Sequence, residues 1–267
     1  MTAAPVAVGP ETRSRLAWVI SDTLAVTHRN LIAMRRVPQV LVFSTIQPVL
    51  FVLMFRYVFG GAISVPGSRY VDYLMPGIFA QTIAFGAVNT GVGLAEDLHK
   101  GLIERFRSLP MARSAVLGGR TCADLVRNVL VIALMVAVGF LVGFRVHTSA
   151  WAFLAAMGLL LLFTFSLSWL FAMVGLRAPS AEAAQAAAFP LLAPLVFASS
   201  AFVPLESMPG WLQAFAARQP VTVTVDAVRA LCLGGPTAGK VLAAVLWSVG
   251  LVAVFAPLAV RSYREGA

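Results

Sequence analysis

Residues 37–55, 73–95, 128–144, 148–176, 183–205 and 241–260 contain no aspartate, glutamate, lysine, arginine or histidine. Each of these windows is close to or beyond the roughly 20 helical residues needed to cross a hydrocarbon layer of about 30 Å. A single water-soluble core is excluded, because most of its helices would need a charged face toward solvent and these windows offer none. Charged residues make up only 12% of the chain, about half the roughly 25% of a soluble domain, so its solvent is largely lipid. The sequence reads as a polytopic membrane protein.

Cysteine is also scarce. Cys122 and Cys232 fall at opposite ends of the expected spans, a bilayer apart, whereas a disulfide needs Cα atoms within about 7 Å. No intrachain bridge is expected, and without a Cys-x-x-Cys or Cys/His cluster no metal site is expected either. No secretory leader is expected in the opening residues, because the apolar run 16–20 is broken by Ser21 and Asp22.

Catalytic patterns are missing as well. There is no Gly-x-Ser-x-Gly elbow, no His-Glu-x-x-His and no carboxylate pair inside a window. His28, His99 and His147 all lie beside windows, and Ser166 and Ser168 have no charged or histidine partner within theirs, so packing or a hydrogen bond back to the helix is the expected role of the serines and no intramembrane hydrolase is expected. Residues 234–240, Gly-Gly-Pro-Thr-Ala-Gly-Lys, mimic the spacing of a phosphate-cradling loop. The following hydroxyl is replaced by Val241, no clear strand precedes, and the expected topology puts the segment outside the cell, away from ATP. A loop with Lys240 anchoring the last span is sufficient explanation.

Ion-coupled carriers usually keep ionisable groups at membrane depth, and the windows keep none. Asp124 and Arg127 come nearest, three residues apart at the edge of the third window, where the plain reading is a helical ion pair. Energy for any transport should therefore come from another polypeptide.

What the chain does have is positive charge on alternate sides of its windows. Arg13, Arg15, Arg29, Arg35, Arg36, Lys100, Arg105, Arg107, Arg113, Arg120, Arg177, Arg261 and Arg264 share one side; Arg56, Arg69, Arg145, Arg218, Arg229 and Lys240 share the other. Positive charge is retained in the cytoplasm during insertion, which predicts that both termini face it. The net charge of +9 is this bias plus attraction to anionic headgroups, and no nucleic-acid role is expected.

Three segments outside the windows stand out. Residues 11–36 read as an amphipathic helix at the inner surface, with Leu16, Val19, Ile20, Leu24, Leu31 and Met34 on one side and arginines on the other. Within 96–121, Leu98, Leu102, Phe106 and Leu109 mark a second short amphipathic helix, stopped by Pro110 and held between two spans. Residues 206–240 are too short and too polar to span and suggest two short helices dipping into the outer leaflet; a strand over 221–225 is the less favoured reading, because its edge would stay unpaired in lipid. Polar residues within the spans are mild: Gln47, Gln81 and Asn89 either line a path for an amphiphilic solute or bond between helices, as do Thr164, Ser166, Ser199 and Ser200. Pro48, Pro190 and Pro194 should bend their helices.

The segment 96–111, Glu-Asp-Leu-His-Lys-Gly-Leu-Ile-Glu-Arg-Phe-Arg-Ser-Leu-Pro-Met, followed by Arg113 and Gly119-Arg120, resembles the signature loop of type-two ABC transporter permeases of the daunorubicin-resistance family. So do Phe202-x-Pro204, Met208-Pro209-x-Trp211-Leu212 and Gln219-Pro220-Val221-Thr222, with Asp226, Arg229 and Ala230-Leu231 beyond them, and Leu74-Met75-Pro76-Gly77. The likeness covers roughly residues 15 to 265. One departure is Arg218-Gln219-Pro220, where such relatives often show Asn-Pro.

The resemblance implies an all-α polytopic membrane protein forming a single transmembrane domain over 1–267: a cytoplasmic amphipathic segment 1–36, a six-span bundle 37–260 and a cytoplasmic tail 261–267. The helix between spans two and three becomes a coupling helix, in which Glu96, Asp97, Lys100, Glu104, Arg105, Phe106 and Arg107 would contact an ATPase, with Phe106 as apolar anchor. The expected partners are cytoplasmic ABC ATPase subunits, a second permease copy, identical or not, the lipid bilayer and an amphiphilic small molecule. The chain itself is expected to be no enzyme and to bind no cofactor, with ATP and Mg²⁺ held by the partner subunit. The expected function is export of an amphiphilic drug, antibiotic or lipid-like molecule across a bacterial plasma membrane. Export of polysaccharide or lipid on the same fold is the alternative, with an ion-coupled carrier behind it.

Overall fold

The computed structural model describes residues 21–29, 38–61, 69–101 and 113–265, with isolated positions 32, 63 and 65. Glu104, Arg105, Phe106 and Arg107, most of the expected coupling helix, lie outside the described residues, as do 11–20 of the N-terminal segment. Among the described residues the secondary structure is helical throughout, without strands. We number the helices α1 (21–29), α2 (Pro38–Leu53), α3 (Tyr70–His99), α4 (Arg113–Val142), α5 (Ala150–Arg177), α6 (Ala181–Phe197), α7 (Gly210–Ala216), α8 (Pro220–Leu233) and α9 (Ala238–Glu265). A π-helical turn over Met54–Phe59 continues α2.

Every uncharged window carries a helix. Among the described residues four helices are long and apolar enough to cross a membrane, Tyr70–His99, Gly118–Val142, Ala150–Arg177 and Ala238–Tyr263; Ile46–Phe59 and Ala181–Phe197 are shorter. Local chemistry sets several starts: the Ser149 hydroxyl accepts from the Ala152 amide, Ser180 does the same for Ala183, and Gln219 caps α8 ahead of Pro220.

The bundle is organised around α3, which packs most extensively on α5, while α5 also packs on α9. The α3–α5 crossing is a glycine contact. A Cβ on Gly91 would overlap the Phe171 carbonyl, and one on Gly175 would overlap the carbonyl of Gly91. Such close backbone approach is how helices associate where lipid removes the hydrophobic drive between them. A second small core of Leu94, Trp169, Leu176, Ala259 and Tyr263 joins α3, α5 and α9 near the last turns of α3. In contrast α9 leaves Leu242, Leu246, Val249, Val254 and Leu258 exposed, an outward face suited to acyl chains.

The fifth apolar window differs from its sequence reading. Helix α6 stops at Phe197, whereas the uncharged stretch continues to residue 205. Pro190 and Pro194 remove two amide donors, and the chain then turns with its polar groups satisfied by other elements. The Ser200 amide donates to Thr222 Oγ1 and the Ser200 hydroxyl to Asp226, both on α8. Gly77 makes room on α3, since a Cβ there would overlap Ala201.

Residues 206–240 do hold two short helices, α7 and α8, and the strand reading at 221–225 is set aside. Helix α8 buries Val221, Thr222, Thr224, Val225, Ala227 and Val228 against its neighbours. It packs on α3, α5 and α9.

Candidate functional site

Helix α3 has an acidic end, Glu96 to His99, and a tyrosine end, Tyr70 to Gly77, separated by about 30 Å or more at 1.5 Å per residue. Polar side chains from other helices converge on both.

At the acidic end Glu96 and Lys100 form an exposed pair at 2.5 Å, one helical turn apart. That hydrogen bond raises the Lys100 pKa above its ordinary value. Asp97 turns inward instead. Its side chain is 17% exposed and its carboxylate meets Arg120 of α4 at 2.5 Å and Arg29 of α1 at 3.9 Å. Gly93 lies beneath the Arg120 guanidinium, which a Cβ would displace. Helix α1 is held to α4 beside this knot: Val26 is buried against Gly119, and the Thr27 hydroxyl contacts the Gly119 carbonyl at 3.1 Å. Of the apolar stripe expected on this segment, Leu24 falls within the described residues and is 62% exposed; the face turned to α4 carries Val26 and Thr27.

Beside the middle of α3, Asp124 and Arg127 of α4 pair at 3.3 Å, and both are nearly buried. The sequence reading of an ion pair between them holds, but its surroundings are richer than the helical spacing implied. The Thr90 hydroxyl donates to Asp124 at 2.5 Å and lies 3.3 Å from Ser168 Oγ, while Arg127 donates to the Gly86 carbonyl at 2.7 Å. One charged pair therefore ties α3, α4 and α5 together.

The three residues expected along a solute path are separated by burial. Gln47 is exposed on α2. Asn89 is exposed on α3 and donates to the Gly86 carbonyl at 3.3 Å. Gln81 is buried on α3, and its Oε1 has no hydrogen-bond partner among the described residues.

The densest polar contact lies at the tyrosine end. The Arg229 guanidinium of α8 stacks over the Tyr73 ring, its carbon 3.6 Å from the centroid. It donates to Asp226 at 2.7 Å, to the Ser200 carbonyl at 2.7 Å and to the Tyr73 carbonyl at 3.2 Å. Ser200 completes the circuit: its hydroxyl donates to Asp226 at 2.7 Å and its carbonyl accepts from the Tyr73 hydroxyl at 3.0 Å. Tyr70 donates to the Phe202 carbonyl at 3.1 Å. Burial pushes the Arg229 pKa down, opposed by Tyr73 and the Asp226 carboxylate. Beyond it, Cys232 at the end of α8 is a buried thiol pushed up to about 12 by desolvation. Its carbonyl accepts from the His147 amide at 2.9 Å.

The sequence showed Asp226 and Arg229 at helical i, i+3 spacing within an apolar run, which is a signal for this joint. Nothing in the sequence pointed to Tyr73 or Ser200 as their partners.

The family described as ABC-2 type transporter matches residues 21–233, most of the chain and both ends of α3. The chain belongs to that family. A daunorubicin resistance ABC transporter permease protein of Streptomyces coeruleorubidus is 38% identical to it over 95% of this chain and 89% of the relative. A probable doxorubicin resistance ABC transporter permease protein of Mycobacterium tuberculosis is 27% identical, covering 96% of this chain and 93% of its own length. A putative transport permease of Cyanophora paradoxa is 26% identical over 80% of this chain and 75% of the relative. With its apolar helices, this ABC-2 chain is a multi-pass membrane protein and a transport component.

Proposed function

We propose that this ABC-2 chain is the permease subunit of an ATP-driven exporter that moves an amphiphilic drug or antibiotic out of a bacterial cell. The observation that carries the reading is its near full-length identity of 38% to a daunorubicin resistance permease. It would act as one of two permeases, each crossing the plasma membrane six times with both termini in the cytoplasm, above two ATPase subunits.

In this reading the acidic end of α3 faces the cytoplasm and leads into the coupling helix. Glu96 and Lys100, both exposed, are available for ATPase contact, as proposed for Glu104, Arg105, Phe106 and Arg107. Asp97 acts one step back, fixing the base of that helix to α1 and α4. ATP binding in the partner moves the loop, and α3, a single helix of 30 residues, carries the movement across the bilayer. The chain's own residues perform no bond chemistry. Gln81, buried with an oxygen that has no partner among the described residues, is the best placed of the three mild polar residues to meet a solute.

The buried Asp124–Arg127 pair does not favour an ion-coupled carrier, because each charge already neutralises the other. The deciding experiment is co-purification of the chain with its ATPase, followed by doxorubicin uptake into inverted vesicles. Uptake should require ATP and survive collapse of the proton gradient, and Phe106→Ala should reduce solute-stimulated hydrolysis while the permease still folds. Uptake that ignores ATP and vanishes with the gradient would overturn the reading.

A further inference from the structure

We infer that Arg229 and Tyr73 form a mechanical joint that makes the hairpin from the end of α6 through α8 move as one body with α3, so that ATPase-driven motion of α3 is delivered to the outer side of the permease. This rests on the orientation and ATP coupling proposed above and adds the residues that transmit the motion beyond the membrane.

The contacts specify a joint. Arg229 holds three separate pieces at once: the Tyr73 ring and carbonyl on α3, the Ser200 carbonyl in the turn after α6, and Asp226 on its own helix. A planar guanidinium with donors on several edges suits this task, and a lysine ammonium cannot both stack on the ring and reach all three acceptors. The backbone of the turn also presses on α3 directly, at Gly77 under Ala201. The hairpin is held together internally, since the Ser200 amide donates to Thr222 and the Gln219 side chain donates to the Leu195 carbonyl at 2.8 Å.

The far edge of the hairpin is fastened differently. There α8 meets the connection between α4 and α5 through its last carbonyls, that of Cys232 accepting from the His147 amide and those of Leu231 and Cys232 sharing the Thr148 hydroxyl. That connection is itself tied to α3, the Arg145 amide donating to Asp72 at 2.9 Å, so when α8 follows α3 it is the packing of α8 on α5 and α9 that shifts. Cys232, fully buried at that edge, then reports the movement. Arg229 and Tyr73 are positioning residues and need not touch the transported molecule.

The test uses the assembled permease–ATPase complex in proteoliposomes, with Cys122→Ala leaving Cys232 as the remaining thiol of this chain. Maleimide labelling of Cys232 is compared between the nucleotide-free and vanadate-trapped complexes. In this parent the labelling rate should change by about fivefold or more on trapping. Arg229→Ala should remove that dependence while ATP hydrolysis stays within about twofold of the parent. Arg229→Lys, which keeps the charge, should retain less than about half of the response and decides the matter if Arg229→Ala does not assemble.

A full nucleotide response in Arg229→Lys or Arg229→Ala overturns the joint, as does a parent Cys232 indifferent to nucleotide. Loss of ATP hydrolysis in step with loss of the response assigns Arg229 a merely structural role and also overturns it. Doxorubicin export measured in the same vesicles separates the two readings. A complex that responds at Cys232 without exporting the drug removes the proposed cargo and supports the joint; export with a silent Cys232 removes the joint alone.

Discussion

The two ends of α3 are both fastened by arginine, yet they are built to opposite specifications. At the tyrosine end one guanidinium, 14% exposed, is shared among a ring, two carbonyls and a carboxylate. At the acidic end one carboxylate is shared between two guanidinium groups, and the Arg29 side chain is 40% exposed. A buried multidentate contact is lost only by breaking everything together, whereas the outer arm of the acidic contact, Arg29 at 3.9 Å from Asp97, is weakened by salt and remakes readily. The contrast separates a fixed hinge from a releasable latch on the same rod.

That comparison holds only if α3 behaves as one body, so the most damaging change lies between its ends. Gly91→Leu would drive a side chain into the Phe171 carbonyl and force α3 away from α5. We expect a loss of at least about 3 kcal/mol, visible as aggregation on gel filtration in detergent. A monodisperse variant with unchanged thermal stability would show that the two helices separate freely and that the rod is not rigid.

Next in size is Arg229→Ala, expected to destabilise the folded chain by about 3 kcal/mol because it leaves the Asp226 carboxylate without its cation. The double variant Arg229→Leu with Asp226→Leu should recover much of that loss, since an apolar pair strands no charge. Equal melting temperatures for the single and double variants would indicate that the ring stacking, and not the ion pair, dominates the joint.

Much of this architecture was legible in what the sequence omits, and the illegible part has a common cause. Windows without charge each carry a helix, because lipid solvation and backbone hydrogen bonding leave few alternatives. The end of α6 was misplaced because residues 198–205 are as apolar as a span, and only Thr222 and Asp226 from another helix reveal that the chain turns there. Helix α8 looked ambiguous because Thr and Val alternate, a pattern that suits a strand; the Gln219 cap, Pro220 and burial against three helices decide for the helix. Asp97 looked like a surface acid on an amphipathic turn. Its inward orientation depends on Arg29 and Arg120, which come from other helices and are invisible to any local period. Periodicity reports which face is polar, not which polar group finds an internal partner.

The acidic end offers the subtler tests. Asp97→Asn should cost about 1 kcal/mol, since its partners are partly solvated and an amide keeps one hydrogen bond. Its signature is salt dependence: raising ionic strength from about 0.1 M to 1 M shortens the screening length from about 10 Å to 3 Å. Melting of the parent should therefore shift with salt by more than melting of the Asp97→Asn variant, while Arg229→Ala should leave the salt dependence intact. Equal salt shifts in parent and Asp97→Asn would mean that the latch contributes nothing electrostatic.

Smallest in stability, and sharpest on function, is Lys100→Glu. Lys100 and Glu96 are both well exposed, so their replacement by two like charges should not move the melting temperature measurably. Lys100 is already an ammonium near neutral pH and its bond to Glu96 raises its pKa further, so no pH dependence from this group is expected there. Among the described residues its charge meets Glu96 and Asp97, both near the surface, so a large effect of reversal on capture reports something that docks from outside. If the ATPase reads this end of α3, charge reversal should weaken its capture by about tenfold, measured by titrating purified ATPase onto immobilised permease. Unchanged capture would move the docking surface wholly beyond Lys100, toward Arg105 and Phe106, and would leave the latch at Asp97 as the only role the described acidic end performs.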